Sequence, residues 1–173
     1  MRTNSSLPHS DSWYMRKALA LARKAASQHE VPVGALIVNE QGLIIGRGFN
    51  RVEQLNSQLE HAELRALRQA TRKQNDWRLD ECTVYITLEP CIMCLCALGL
   101  SRCRRIVYAA RSPLFGGTVD KICLPSLYTK HLRLIESGLC ADEAADLLKR
   151  FFKQKREGLY EQRTKNSHQK QTA

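Results

Sequence analysis

The chain has 173 residues and a formal net charge of +10, and 173 residues fit one domain. A hydrophobic fraction of 43% with 25% charged residues is typical of a globular protein and excludes a wholly disordered or fibrous chain. Apolar runs such as 33–38 are far shorter than the ~20 residues that a membrane helix needs, and the amino terminus lacks the pattern of a secretory signal. We therefore expect a cytoplasmic protein with no membrane partner.

A helix and a hairpin are predicted at the start of the chain. Apolar residues recur at helical spacing over 12–28, and Ser10, Asp11 and Ser12 are candidate N-caps. The apolar, β-branched runs 33–38 and 43–49 flank a polar turn that ends in Gly42, which predicts two paired strands.

The next helix is predicted from a capping motif. Ser57 followed by Glu60 has the spacing of a capping box and predicts a helix over 58–74. His61 then lies in or just after the first turn, and the residues expected to face the core are Leu64, Leu67 and Ala70.

Strands and helices alternate in the second half of the chain. Strands are predicted over 83–87, 105–110 and 131–136, and a loop over 113–125. Helices are predicted from about Cys91 to Gly99, with Pro90 at the first helical position, and from Asp142 into the carboxyl-terminal segment. This alternation predicts an α/β fold, a three-layer α/β/α domain around a five-stranded mixed sheet.

Positive charge is concentrated at the carboxyl terminus. Residues 149–173 contain eight basic and two acidic residues, which is six of the ten net charges. We expect a folded domain over 1–155, including the carboxyl-terminal helix, and a basic, disordered tail over 156–173. The charge favours a polyanionic partner such as a nucleic acid, while a solubilising surface is the alternative.

Three of the seven cysteines lie close together at Cys91, Cys94 and Cys96. An odd number of cysteines without an export signal disfavours a disulfide framework and favours a metal site. Cys91 and Cys94 are three residues apart at a helix start, and with His61 they supply three ligands suited to zinc. Three ligands leave the fourth tetrahedral position to water, as in catalytic zinc sites. The four remaining cysteines are expected to be buried thiols: Cys82, Cys103, Cys123 and Cys140.

Glu63 is the candidate general acid and base, because it follows His61 by two residues near a helix end and can reach a water at the open zinc position. Glu89 is a rival for that role, although its place on a strand-ending turn favours a structural hydrogen bond. Cys96 is expected to face away from the metal, into the core.

The motif His61-Ala62-Glu63 with the segment 87–94, Thr-Leu-Glu-Pro-Cys-Ile-Met-Cys, resembles the zinc-dependent nucleobase deaminases of the cytidine deaminase-like superfamily. Segments 30–35, 46–51 and 138–156 resemble the bacterial tRNA-specific adenosine deaminases in order and spacing. The resemblance implies one Zn²⁺ per chain, a homodimer, and conversion of adenosine to inosine at the wobble position of a tRNA anticodon stem-loop.

The same resemblance implies roles for individual residues. His61, Cys91 and Cys94 match the zinc ligands, and Glu63 matches the proton shuttle. In the substrate site, Asn50 matches an asparagine that hydrogen-bonds the flipped base, and Val33 matches an apolar wall.

Two segments depart from the family pattern. Residues 57–60 are Ser-Gln-Leu-Glu where the family often has Asp-Pro-Thr-Ala, and 112–115 are Ser-Pro-Leu-Phe where the family often begins with Asp.

Two alternative functions stay open at the level of sequence: a deaminase of free cytidine, deoxycytidylate or guanine, and a non-catalytic, zinc-stabilised RNA-binding module. The basic carboxyl terminus disfavours the first, because a small substrate needs no extended cationic surface. Glu63 disfavours the second.

Overall fold

A five-stranded mixed sheet is the centre of the computed structural model, which describes residues 8–114, 116 and 125–171, with the backbone alone at 129 and 159–171. The strands are β1 Gly34–Val38, β2 Ile44–Phe49, β3 Thr83–Leu88, β4 Arg105–Ala110 and β5 Leu134–Ser137. The helices are α1 Asp11–Ser27, α2 Val52–Leu55, α3 Ala62–Gln74, α4 Ile92–Leu100, α5 Ser126–Thr129 and α6 Ala141–Gln171, and a 3-10 turn covers Gln58–Glu60. Among these elements, no helix is long and apolar enough to cross a membrane.

The strand order is β2-β1-β3-β4-β5. The hairpin strands β1 and β2 pair antiparallel, and β1 also pairs antiparallel with β3. Strands β3, β4 and β5 run parallel to one another. The predicted mixed sheet of five strands is therefore confirmed.

Helices cover both faces of the sheet, which confirms the three-layer α/β/α architecture. On one face, α1 and α6 pack on residues such as Leu36, Tyr85 and Val107. On the other face, α3 and α4 pack on Ile37 and Ile86, with their neighbours in the sheet. The site described below lies on the second face, where these two helices begin.

Helix α3 lies unusually close to strand β2. Its buried apolar residues are three alanines at a spacing of four, and two glycines of β2 lie beneath them: Ala62, Ala66, Ala70, Gly46 and Gly48. A Cβ on Gly48 would lie 2.7 Å from the amide nitrogen of Ala66. Of the three residues predicted to face the core, Ala70 is buried and Leu67 packs partly buried against it. Leu64 is only half-buried and is not part of the core, because small alanines fill this narrow interface.

The predicted start of α3 at residue 58 is wrong by four residues. The Ser57 hydroxyl accepts the Leu59 N–H at 3.2 Å and so caps the 3-10 turn. The Glu60 carboxylate forms ion pairs with α3 instead of returning to Ser57, so no capping box forms. His61 consequently precedes the helix, in an extended conformation with φ −61° and ψ 148°.

The beginning of α4 also differs from the prediction. Cys91 has the extended backbone of an N-cap, and its carbonyl accepts the Leu95 N–H at 2.9 Å. The helix therefore begins at Ile92, and Pro90 precedes the cap instead of occupying the first helical position.

The elements of the carboxyl-terminal half agree only in part with those predicted from the sequence. Strand β5 begins three residues later than predicted, and α6 runs to Gln171, so its backbone is helical where a disordered tail over 156–173 was expected. The division of the chain at residue 155 stays a prediction. The predicted loop over 113–125 lies mostly outside the described residues, as does Cys123. Cys82 and Cys103 are buried as expected, whereas Cys140 is half-buried.

An ionic network joins α1 to the parallel strands. The Asp11 carboxylate accepts hydrogen bonds from the Tyr85 hydroxyl at 2.5 Å and from the Arg105 guanidinium at 2.7 and 2.9 Å. Arg105 also pairs with Glu136 on β5 at 2.5 Å. The hydrogen bonds from Arg105 are the largest cause that lowers the pKa of Asp11 below its ordinary value.

Candidate metal centre and active site

His61, Cys91 and Cys94 are brought together on the α3 and α4 side of the sheet. Nδ1 of His61 lies 3.8 Å from Sγ of Cys91 and 3.5 Å from Sγ of Cys94. The three ligand atoms all lie within 4.8 Å of one another. Two thiols and one imidazole at this separation are a donor set that suits tetrahedral zinc and leaves one position open.

The ends of two helices position these side chains. His61 and Cys91 are the N-cap residues of α3 and α4, and neither side chain caps its own helix. Both side chains are therefore free to turn toward the cluster, and Cys94 reaches it from the first turn of α4. Two helix N-termini meet here, and their partial positive charge stabilises thiolates.

The pKa values of the two thiols shift in opposite directions. Hydrogen bonds from Cys94 and then from His61 lower the pKa of the Cys91 thiol to about 4. The hydrogen bond to Cys91 and burial raise the pKa of Cys94. The hydrogen bond to Cys91 also raises the pKa of His61. Cys91 is thus the thiol that ionises first.

Glu63 lies in the first turn of α3, one residue inside the helix from Ala62, and only 4% of it is exposed. Burial is the largest cause that raises the pKa of its carboxyl to about 7. A carboxyl group with a pKa near neutrality can both accept and donate a proton at physiological pH. The position beside Cys94 therefore suits a general acid and base.

Asn50 and Val33 lie next to each other at the ends of β2 and β1. The Asn50 N–H donates to the Val33 carbonyl at 3.2 Å, and both residues are buried, with 7% and 6% exposed. Oδ1 of Asn50 accepts the Ala62 N–H at 2.8 Å. This bond satisfies a free amide at the start of α3 in place of a local cap, and it ties Asn50 to the residue between His61 and Glu63.

Glu89, the rival general base, has a structural contact. Its Oε2 accepts the Ser112 N–H at 2.9 Å, as expected for a residue on a strand-ending turn. A Cβ on Gly116 would fall within the contact distance of the same carboxylate, so the glycine allows this close approach. Cys96 does not belong to the cluster, but it is half-buried, and its assignment to the core is wrong.

Sequence reasoning missed two groups around the site. One is the buried carboxylate of Glu30, which accepts the N–H groups of Glu53 and Gln54 at 3.2 and 2.7 Å and so caps α2. The other is the ion pair of Glu60 with Arg65. In both contacts, the number of residues between the two partners matches neither a helical nor a strand repeat. No local sequence pattern could therefore have indicated them.

The chain matches the family profile "Cytidine and deoxycytidylate deaminase zinc-binding region" over residues 8–110. It is 38% identical over 148 residues to a tRNA-specific adenosine deaminase of Streptococcus pyogenes serotype M1, covering 84% of this chain and 85% of the relative. It is 39% identical over 147 residues to the tRNA-specific adenosine deaminase of Aquifex aeolicus, covering 85% and 97%.

Comparison with solved structures also finds deaminases. A structure from a study of A-to-I editing by tRNA:A34 deaminases at the wobble position of transfer RNA superposes with a TM-score of 0.73 at 36% identity, covering 79% of this chain and 99% of the other. A guanine deaminase from Nitrosomonas europaea superposes with a TM-score of 0.73 at 26% identity, covering 84% and 86%. The chain therefore belongs to the zinc-binding cytidine and deoxycytidylate deaminase family, in the branch that contains the tRNA-specific adenosine deaminases.

Proposed function

We propose that this protein converts adenosine to inosine at the wobble position of tRNA anticodons, by hydrolytic deamination. The observation that carries the proposal is a buried carboxyl group, Glu63, beside a three-ligand cluster suited to zinc. The similarity to tRNA-specific adenosine deaminases supports the choice of substrate.

His61, Cys91 and Cys94 would hold the zinc ion. When bound, zinc lowers the pKa of a coordinated water, which makes a nucleophile available at neutral pH. The helix N-termini at His61 and Cys91 favour the ionised thiols that such binding requires.

Glu63 acts as the general base and general acid of the reaction. Adenosine and water give inosine and ammonia, so the attacking water loses protons while the ring nitrogen and the departing amino group gain them. Glu63 accepts a proton from water, donates it to N1 of adenine, and then assists the departure of ammonia. Its low exposure excludes bulk water from the transfer.

Asn50 and Val33 would bind the base. Oδ1 of Asn50 is occupied by the Ala62 N–H, and Nδ2 makes no hydrogen bond to any residue that the structure describes. The amide is thus fixed in orientation with its donor available for an acceptor atom of the flipped base. Val33, on the neighbouring strand, would contribute an apolar surface to the ring.

The expected macromolecular partner is the anticodon stem-loop. Exposed basic residues follow one another along α6, at Lys149, Arg150, Lys153, Lys155 and Arg156. Ion pairs with Asp146 and Glu157 neutralise part of this charge, at 3.8 and 3.9 Å. The remainder would contact phosphates.

We also propose that the enzyme is a cytoplasmic homodimer. Three large apolar side chains that lie close in sequence to His61 or Cys91 are exposed: Leu55 (44%), Leu59 (67%) and Ile92 (38%). A second copy of the chain would cover them.

The guanine deaminase from Nitrosomonas europaea favours a second candidate, deamination of a free base. Sequencing of tRNA after incubation with the purified protein distinguishes the candidates, because inosine is read as guanosine. We expect an A-to-G change at the first anticodon position and no release of ammonia from free guanine or cytidine. Ammonia from a free base with unchanged tRNA would overturn the proposal, and tRNA binding with no deamination would indicate a non-catalytic module.

A further inference from the structure

Glu60 is a charged residue at a buried position directly before His61. Only 11% of its side chain is exposed. Its carbonyl accepts the Arg51 N–H at 3.1 Å, so its backbone is bonded to the residue that follows Asn50. Glu60 is therefore in contact with the segments that carry two site residues.

Arg65 of α3 is the partner of this carboxylate. Nη1 of Arg65 pairs with Oε2 of Glu60, and 18% of the Arg65 side chain is exposed. Its guanidinium also lies 5.7 Å from the centre of the Phe49 ring, at the end of β2. The backbone N–H of Arg65 donates to the His61 carbonyl at 3.0 Å. The Arg65 side chain thus contacts the residues that precede Asn50 and His61, whereas its bond to His61 is a backbone helix bond that does not depend on the side chain.

A second arginine contacts Glu60 more weakly. Nη1 of Arg68 lies 3.4 Å from Oε1 of Glu60, and 52% of the Arg68 side chain is exposed. Solvent screens such a pair, so it contributes little. Arg68 is consequently a matched control for Arg65: the same residue type, on the same helix, with the same partner.

A buried ion pair is a poor source of net stability, because desolvation of both charges offsets their attraction. Loss of one partner is nevertheless costly, since the other charge stays buried without compensation. Nε of Arg65 is buried and has no hydrogen-bond partner among the described residues, which adds to the cost of the arrangement. Stability alone is therefore a weak reason for this pair.

We propose that Glu60 and Arg65 are a positioning pair, which fixes the turn before His61 and the end of β2 on α3 and so sets His61 and Asn50 relative to each other. This inference rests on the proposed function only for its catalytic consequence. The effect on the metal ligand follows from the contacts alone, because residues that orient metal ligands typically change metal affinity by ~10–100-fold when removed.

The test compares Glu60→Ala, Arg65→Met and the double variant with Arg68→Ala. Zinc release to a chelator and the visible spectrum of the Co²⁺-substituted protein report on the ligands without substrate. We expect zinc release ~10–100-fold faster in each single variant, with an altered Co²⁺ spectrum. The double variant leaves no unpaired charge but also lacks the contacts that position His61, so it should still release zinc faster than the wild type. Arg68→Ala should match the wild type.

Steady-state kinetics on an anticodon stem-loop complete the test. We expect a lower kcat and a higher KM in the single variants, because His61 and Asn50 both shift. Glu60→Gln retains an acceptor oxygen for Arg65 and should be affected least, which covers the case in which Glu60→Ala does not fold. Native zinc release and a native Co²⁺ spectrum in Arg65→Met or in the double variant would overturn the inference. Equal effects of Arg68→Ala and Arg65→Met would also overturn it. If the wild type fails to deaminate tRNA, the proposed function fails while the metal measurements still decide this inference.

Discussion

Replacement of Gly48 by alanine tests the close packing of β2 on α3. The new Cβ would overlap the Ala62 carbonyl oxygen most closely, and it would lie 2.7 Å from the Ala66 nitrogen. Both neighbours are backbone atoms of a helix, so no side-chain rotation can relieve the overlap. Strand and helix must separate by more than about 1 Å to restore ordinary contacts of about 3.5 Å.

This separation has a cost in stability and in catalysis. Overpacking of this kind costs about 1–3 kcal/mol, which corresponds to a fall in Tm of about 2–12 °C for a chain of this size. Ala62 lies between His61 and Glu63, so the helix start moves together with both site residues. A displacement of about 1 Å in an active site can reduce kcat/KM by ~10²-fold.

Two matched variants separate these effects. At Gly46, a Cβ would meet Ala66 and Ala70, one turn farther from the site, so Gly46→Ala should lower Tm similarly but reduce kcat/KM less than tenfold. Gly158→Ala introduces a Cβ with nothing within 4 Å and should not lower Tm. Thermal unfolding, zinc content and single-turnover rates would be measured for all three. A Gly48→Ala protein with wild-type Tm and rate would contradict the close packing of β2 on α3. Equal catalytic losses at both strand positions would contradict its effect on the start of α3.

The remaining predictions concern the metal, the proton, the RNA and the pH. Cys94→Ala should lose most of its zinc by elemental analysis while Cys96→Ala keeps it; the reverse pattern would contradict the ligand assignment. Glu63→Ala should keep zinc and RNA affinity while its single-turnover rate falls by ~10²-fold or more, and a near-normal rate would exclude its role. Truncation after Phe152 should weaken stem-loop binding and flatten its salt dependence with zinc unchanged; identical binding at two salt concentrations would remove α6 from the RNA site. The lowered pKa of Asp11 stabilises the fold above the unfolded pKa near 3.8, and this contribution is lost as pH falls through the folded pKa. Denaturant unfolding from pH 7 to pH 2 should therefore show a smaller acid loss in Asp11→Asn, and an unchanged loss would argue against it.

Local sequence patterns were sufficient for the strands and the longer helices to within a few residues, and for the candidate metal cluster, but not for the short helices α2 and α5. Helical periodicity located α1, and two apolar runs around a polar turn located the hairpin, because these signals depend on neighbouring residues alone. The combination of His61, Cys91 and Cys94 was also visible, since zinc restricts the ligand types and the spacing of three places both thiols at the start of α4. The resemblance then supplied Asn50 and Val33, which chemistry by itself did not distinguish from ordinary strand-end residues.

The tertiary structure decided how these residues are held. Helix α3 begins at Ala62 and not at the predicted residue 58, because the Glu60 carboxylate pairs with Arg65 instead of the backbone of Ser57. The free amide at Ala62 is satisfied by Asn50, twelve residues away, and not by a local cap. Alanines rather than leucines face β2 because Gly46 and Gly48 bring the strand against the helix. A side chain has several possible partners with similar local energies, and only the packed fold determines which of them lies within hydrogen-bonding distance.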